Sequence, residues 1–215
     1  MSVVINFVLM CEGPSDRSLA LHLETLLVEA GASEAIGTTD ITKGVLAERM
    51  HRLLSEQSDI DLLFIHRDAD APTPDRRADE IRKAVENVAL QIPHVPVIPV
   101  QETEAWLLVD EDAIRAVAGR PRGRAELGLP RLQSIERTSN PKEILQQALV
   151  AACEQSGRRL AQERRRFSGK REVLLQRLDT RGPVRGLRSW QRLEEDVESA
   201  LKQLSDRRTS LSDHP

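Results

Sequence analysis

The stretch IDLLFIHRDADAP, residues 60–72, decides the fold. Ile60–His66 is a short apolar run of strand length, of the kind that is buried on both faces of a parallel sheet. Two carboxylates, Asp68 and Asp70, follow almost at once, and Pro72 and Pro74 keep the chain beyond them out of regular structure. Upstream, Val3–Met10 (VVINFVLM) reads the same way and stops at Glu12-Gly13-Pro14, where Gly13 permits a sharp turn. Ser15 or Asp16 then caps a helix running to about Ala30, with Leu19, Leu23, Leu26 and Leu27 on one face and Gly31 to end it.

Ala35–Ile41 is a weaker strand candidate, and Gly44 to about Gln57 has Val45, Leu46, Met50, Leu53 and Leu54 spaced for a buried helical face. Downstream of the deciding stretch, Asp75 to about Gln91 is helical and Val95–Val100 is another strand. Strands that alternate with amphipathic helices predict an α/β fold with a parallel sheet of about four strands.

After Val100 the pattern turns helical. Glu102 to about Ala118 forms a helix kinked near Asp110, and Gly119–Pro130 (GRPRGRAELGLP) is a basic loop. Asn140-Pro141-Lys142-Glu143 marks a helix start, with Asn as the cap, Pro first and Glu at the capping-box position. Helices around Gly157–Leu178 and Leu187–Leu204 follow. The expected division is an α/β domain over 1–118, a basic helical extension over 119–208 packed on it, and a frayed tail over 209–215.

Composition narrows the function classes. Residues 1–114 carry 9 Lys/Arg against 21 Asp/Glu, whereas 115–192 carry 19 against 7, so a near-neutral total hides an acidic half joined to a basic one. A cation site beside a phosphate-binding surface calls for that asymmetry, although arginine-rich helices are as often simple solvated faces. Two distant cysteines, Cys11 and Cys153, make neither a disulfide framework nor a zinc motif and point to a reducing cytoplasm. No apolar run is long enough to cross a bilayer, and Val3–Met10 lacks the flanks of a signal peptide. With three Phe, two Trp and no Tyr, single-strand binding by stacking on aromatic platforms is disfavoured.

Three acidic clusters each follow an expected strand: Glu12 with Asp16, Asp68 with Asp70, and Glu102 with Glu104. Strand ends of open α/β sheets are where ligands bind. Paired carboxylates repel one another unless a cation neutralises them, and an all-oxygen set selects Mg²⁺, with Mn²⁺ possible. Helix capping competes as an explanation. Asp16 and Glu104 each suit a helix N-terminus, but capping accounts for one acid better than for three recurrences.

Glutamate-glycine after the first strand and D-x-D after a later parallel strand resemble the TOPRIM domain, over about residues 1–105. Glu12-Gly13-Pro14-Ser15-Asp16, Asp68-Ala69-Asp70 and Glu102-Thr103-Glu104-Ala105-Trp106-Leu107, with Gly128-Leu129-Pro130 and Asn140-Pro141-Lys142, are similar to a stand-alone bacterial TOPRIM-like family. The resemblance implies a Rossmann-like sheet with a C-terminal helical extension. It also implies a relation to the overcoming-lysogenization-defect nucleases, which act in phage defence or DNA repair. The absence of tyrosine sets aside the topoisomerases, and two distant cysteines set aside zinc-bearing primases. By that analogy Glu12, Asp68 and Asp70 hold one Mg²⁺, while Asp16 and Glu102 or Glu104 complete a second. Lys170 or Lys142 would be the catalytic lysine.

Arg120, Arg122, Arg124, Lys142, Arg164, Arg165 and Arg166 are the candidates for holding a nucleic-acid backbone. A separate ATPase chain is the implied partner, because those nucleases carry an ATPase domain that this sequence lacks. Beside the nuclease stand a reading of the basic helical half as a protein-interaction surface and two rivals for the whole chain. One is a non-catalytic binding or assembly module of the same fold. The other is a haloacid-dehalogenase-like phosphatase, disfavoured because Pro72 stands where that motif has threonine.

Overall fold

Val4–Met10 forms β1, and its inward side chains are so fully enclosed that Phe7, Val8, Leu9 and Met10 have almost no solvent contact. The computed structural model describes residues 3–212. Three further strands pair with β1 in parallel: β2 (Glu34–Asp40), β3 (Leu62–His66) and β4 (His94–Val97), in the order β2-β1-β3-β4. All five residues of β3 are buried, which is why that stretch reads as continuous rather than alternating apolarity. This is the four-strand parallel α/β sheet that the sequence predicts, Rossmann-like and flanked by helices.

The chain divides into two compact units. The sheet unit comprises residues 1–67, 74–98 and 191–215, and the helical unit residues 68–73 and 99–190. The break therefore falls near residue 98 rather than 118. The reason is that α4 (Glu104–Leu107) and α5 (Glu111–Val117) pack with α6 (Pro141–Ala152) and α8 (Phe167–Gln176). The last helix, α9 (Arg188–Ser212), also departs from expectation. From Gln191 it belongs to the sheet unit, burying Leu193, Val197, Ala200, Leu201 and Leu204 at helical spacing. Its Arg208 reaches Asp61 at 3.0 Å, and the helix extends to Ser212, so most of the expected frayed tail is helical, while 213–215 lie outside the described residues.

In the sheet unit, α1 (Leu19–Glu29), α2 (Leu46–Glu56) and α3 (Asp75–Val88) are the crossovers between strands. β2 is an edge strand with Ile36 exposed, which explains its faint apolar signal. Gly37 on β2 has no room for a side chain, because a Cβ there would lie 2.3 Å from the Phe7 ring, which itself packs edge-on against Phe64 at 5.1 Å. β4 tolerates Pro96 because it is the other edge. Among the described residues, no helix is long and apolar enough to cross a membrane.

The ends of β1 and β2 are held by one buried ion pair. Arg49 of α2 places Nη2 2.9 Å and Nε 3.2 Å from Asp40 Oδ2, and Nη2 also donates to the Cys11 carbonyl at 3.0 Å. Burial works to raise the Asp40 pKa, but hydrogen bonds from Thr42 and Arg49 outweigh it and hold the carboxyl below its ordinary range. Since the folded-state value is the lower one, this contribution is complete above the unfolded-state pKa and is lost as pH falls through the folded value. Arg49→Leu strands the buried carboxylate and should cost about 3–5 kcal/mol in urea denaturation, with Asp40→Asn in the same chain recovering part of the loss.

Candidate functional site

In the sheet unit, the chain leaves β1 through Cys11, whose N–H donates to the Asp40 carbonyl at 2.8 Å, and delivers Glu12 to the surface. Gly13 is extended, with φ −148° and ψ 170°, and a Cβ there would meet only ordinary contacts. The chain does bend at Glu12 and Gly13, but in backbone that any residue adopts, so the turn does not require the glycine. Pro14–Asp16 forms a short 3₁₀ turn before α1, in which Asp16 is buried and accepts the Ser15 hydroxyl at 3.2 Å. The Cys11 thiol is pushed up to about 12, by burial first and then by the charge of Asp16, so it is no nucleophile.

The cation beside Glu12 is one that the sequence reading passed over. Arg67, the residue after β3, puts Nη2 3.0 Å from Glu80 and 3.9 Å from Glu12.

In the helical unit, the segment carrying the D-x-D runs beside residues 99–103. Ala69 N–H donates to the Pro99 carbonyl (3.1 Å), Asp70 N–H to Gln101 (2.8 Å), and Gln101 N–H back to Ala71 (3.1 Å). Asp70 and Gln101, which both take part in this pairing, adopt left-handed backbone, with φ 51° and 63°. A non-glycine residue in that region stores roughly 1–2 kcal/mol, and such strain gathers where geometry is held for a purpose. The arrangement splits the D-x-D: Asp68 is half-buried, whereas Asp70 is exposed.

Asp68 Oδ1 accepts from both the backbone N–H (2.9 Å) and the hydroxyl (3.1 Å) of Thr103. Its carboxylate is thereby held beside the turn that carries Glu102 and Glu104. Glu102 accepts the backbone N–H of Lys142 at 3.3 Å. Its pKa is nonetheless raised, by burial first and then by the charges of Glu104 and Asp68, with Lys142 opposing.

Glu104 has a different fate. It is buried on α4 and forms an ion pair with Arg171 of α8, Nε to Oε1 2.9 Å, with both side chains under a tenth exposed. Arg171, not Lys170, is therefore the cation facing the acidic turn. Lys170, one residue along α8, points to Glu163 of α7 (Gly157–Arg165) instead. The helical spacing of Arg171 with the buried Leu174 and Leu175 carries the signal that could have singled it out.

The remaining basic candidates are spread over the helical unit. Arg120, Arg122 and Arg124 are exposed on a loop wrapped around Glu154, whose carboxylate accepts the N–H groups of Arg124 (2.8 Å) and Ala125 (3.1 Å). Lys142 is exposed at the start of α6. Its neighbour Asn140 is left-handed, with φ 57°, and makes no side-chain cap, so backbone shape rather than capping starts that helix. Arg164 and Arg165 are exposed, and Arg166 pairs with Glu163 at 3.2 Å.

Of the six expected metal ligands, Glu12 and Asp16 belong to the sheet unit and Asp68, Asp70, Glu102 and Glu104 to the helical unit. Among the described residues, no group of three or more His, Cys, Asp or Glu side chains is arranged to hold a metal ion. What the helical unit brings together is a smaller set, Asp68 and Glu102 with Glu104 behind them under the charge of Arg171. A pair of carboxylates of this kind suits Mg²⁺, which is commonly bound by one or two carboxylates, waters and substrate phosphates rather than by a full protein cage.

A family model described as Domain of unknown function (DUF4276) matches residues 11–162, a span that contains all six of these acids. No curated protein and no solved structure matches the chain.

Two outcomes follow from this electrostatics. Arg171→Leu leaves Glu104 buried and uncompensated and should destabilise by about 3–5 kcal/mol, and adding Glu104→Gln should restore much of it in urea denaturation. Because the Glu102 pKa is raised in the folded state, its ionisation opposes folding. Stability contributed by the protonated form falls as pH rises from the unfolded-state value through the folded one. Glu102→Gln should thus be more stable than the parent at neutral pH, with the difference vanishing in acid when melting is followed against pH.

Proposed function

We propose that this chain, which belongs to the DUF4276 family, is a Mg²⁺-dependent phosphodiesterase that cleaves nucleic acid, working in the cytoplasm in phage defence or DNA repair. The observation that carries the reading is geometric: Thr103 fixes Asp68 with two donors beside the turn that bears Glu102, itself held by the Lys142 N–H. Asp68 and Glu102 are the residues that would hold Mg²⁺, the hard cation that their all-oxygen donors favour. When bound there, Mg²⁺ would polarise a phosphodiester oxygen and lower the pKa of a coordinated water.

The chain's own groups do the positioning. Thr103 holds Asp68 through two donors, which orients the carboxylate. The Lys142 N–H steadies Glu102, and Arg171 holds Glu104 withdrawn in a buried ion pair. Exposed Arg120, Arg122, Arg124, Arg164 and Arg165, with Lys142, offer the phosphate backbone a positive surface that ignores base identity. In this reading Asp70 is an exposed accessory to Asp68, and a separate ATPase chain couples the activity to its target. The TOPRIM resemblance of the three acidic clusters supports the assignment.

A second reading is favoured by one observation. Since no three acids group to hold an ion among the described residues, a nucleic-acid-binding or assembly module without turnover would keep this same geometry.

Plasmid DNA and a structured RNA, incubated with the purified protein in Mg²⁺ or Mn²⁺, separate the two. The nuclease predicts cleavage that EDTA abolishes and that Asp68→Asn and Glu102→Gln each reduce by about a hundredfold or more, the scale of losing a positioned electrostatic group. Salt-sensitive binding with no cleavage, unchanged in both variants, would establish the module instead.

A further inference from the structure

We propose that the groove between α5 and α8 binds a small organic phosphate with a flat, weakly polar body, of which a nucleoside monophosphate is the type. The groove is about 420 Å³ and is lined by Ala116 and Val117 of α5, by Gly169, Lys170 and Val173 of α8, and by Arg166 and Arg177 at the two ends of that helix. That volume falls in the range of small-molecule sites, about 300–1,000 Å³. None of the acids of the candidate metal site lines it, and the proposal does not rest on the phosphodiesterase reading.

The lining has two chemistries in register. Arg166, Lys170, Val173 and Arg177 follow one another at spacings of four, three and four residues, so they share one face of α8. Three cations thus stand along a face whose remaining surface is Val173, Val117, Ala116 and the bare backbone of Gly169. A Cβ at Gly169 would meet nothing within 4 Å, so the glycine leaves open space rather than avoiding a clash. A floor of small apolar groups suits the face of a ring, and a rim of guanidinium and ammonium groups suits a phosphate.

One carboxylate already sits among these cations. Glu163 pairs with Lys170 and, at 3.2 Å, with Arg166; hydrogen bonding from Lys170 is the main reason its pKa is lowered. Arg177 has no salt bridge among the described residues, and the groove keeps a positive balance after Glu163 is counted. Glu163 therefore behaves as an internal competitor. A phosphate entering the groove takes Lys170 from it and adds Arg177, about two helical turns further along the same face.

Isothermal titration of the full chain with adenosine 5′-monophosphate, inorganic phosphate and adenosine, all in EDTA so that no divalent cation contributes, tests the site. AMP should bind at least about tenfold more tightly than inorganic phosphate, and adenosine should not bind measurably, since both halves of the groove are needed. Arg177→Ala should weaken AMP by about tenfold, the loss of one charge-assisted contact. Glu163→Gln should tighten it severalfold, a gain that misfolding cannot imitate. Absence of AMP binding, equal affinity for AMP and phosphate, or AMP affinity unmoved in both variants would each overturn the proposal.

Discussion

The acidic turn depends on a run of backbone hydrogen bonds between residues 69–71 and 99–101. Three bonds, of 2.8 to 3.1 Å, hold the D-x-D segment alongside the chain that follows β4. Once those two segments are in step, Thr103 meets Asp68 with both its donors, and Glu102 is brought within electrostatic reach of the same carboxylate. The left-handed conformations of Asp70 and Gln101 are what the pairing demands of the backbone at that point. Asparagine, aspartate and glycine enter that region most readily, so the strain at Gln101 is the greater of the two. It persists because the surrounding bonds leave the chain no other course.

Charge is handled in both units by the same device. In the sheet unit Arg49 pairs with Asp40, and in the helical unit Arg171 pairs with Glu104, each arginine being more than nine-tenths buried. Replacing such pairs with apolar groups is often neutral for stability, so their value lies more in fixing geometry than in net binding energy. Arg49 ties the end of β1 to β2 and α2, while Arg171 ties α4 to α8. What remains outside these pairs is the partly buried Glu102, whose pKa is raised by that burial first and by the charges of Glu104 and Asp68 after it.

Much of the sheet unit was legible in the sequence because it rests on patterns that a sequence displays. Buried runs at β1 and β3, the leucine face of α1 and the turn residues between them name the elements and their order. Boundaries were harder where geometry overrules pattern. The expected single helix over 157–178 is two, α7 and α8, meeting at Arg166, because their exposed polar residues carry no periodicity to mark the break. The site was legible in its acids but not in its cations. Carboxylates that end strands stand out as D-x-D and E-x-E, whereas Arg67 and Arg171 are two arginines in a chain rich in them. Leu174 and Leu175 lie at helical spacing from Arg171, but Val173 and Leu174 lie at the same spacing from Lys170, so the signal favours Arg171 only once packing has set the buried face of α8.

The span matched by the family model adds a further constraint. It covers Glu104 but stops before Arg171, so the acid and its neutralising base come from differently matched parts of the chain. A glutamate at this depth has few physical options. It can pair with a cation, take up a proton, or turn toward solvent at the cost of the packing made by Ala105, Trp106 and Leu107 around it. In this chain Trp106 is fixed at the other end as well, with its indole N–H on the Ser189 hydroxyl at 2.8 Å and its ring edge-on to Trp190 at 5.0 Å. Pairing with Arg171 is the option this chain takes, and it leaves Glu104 enclosed on α4. The helices beyond the matched span thus act on the acidic turn directly, since Arg171 of α8 encloses Glu104 in an ion pair and leaves Glu102 outside it.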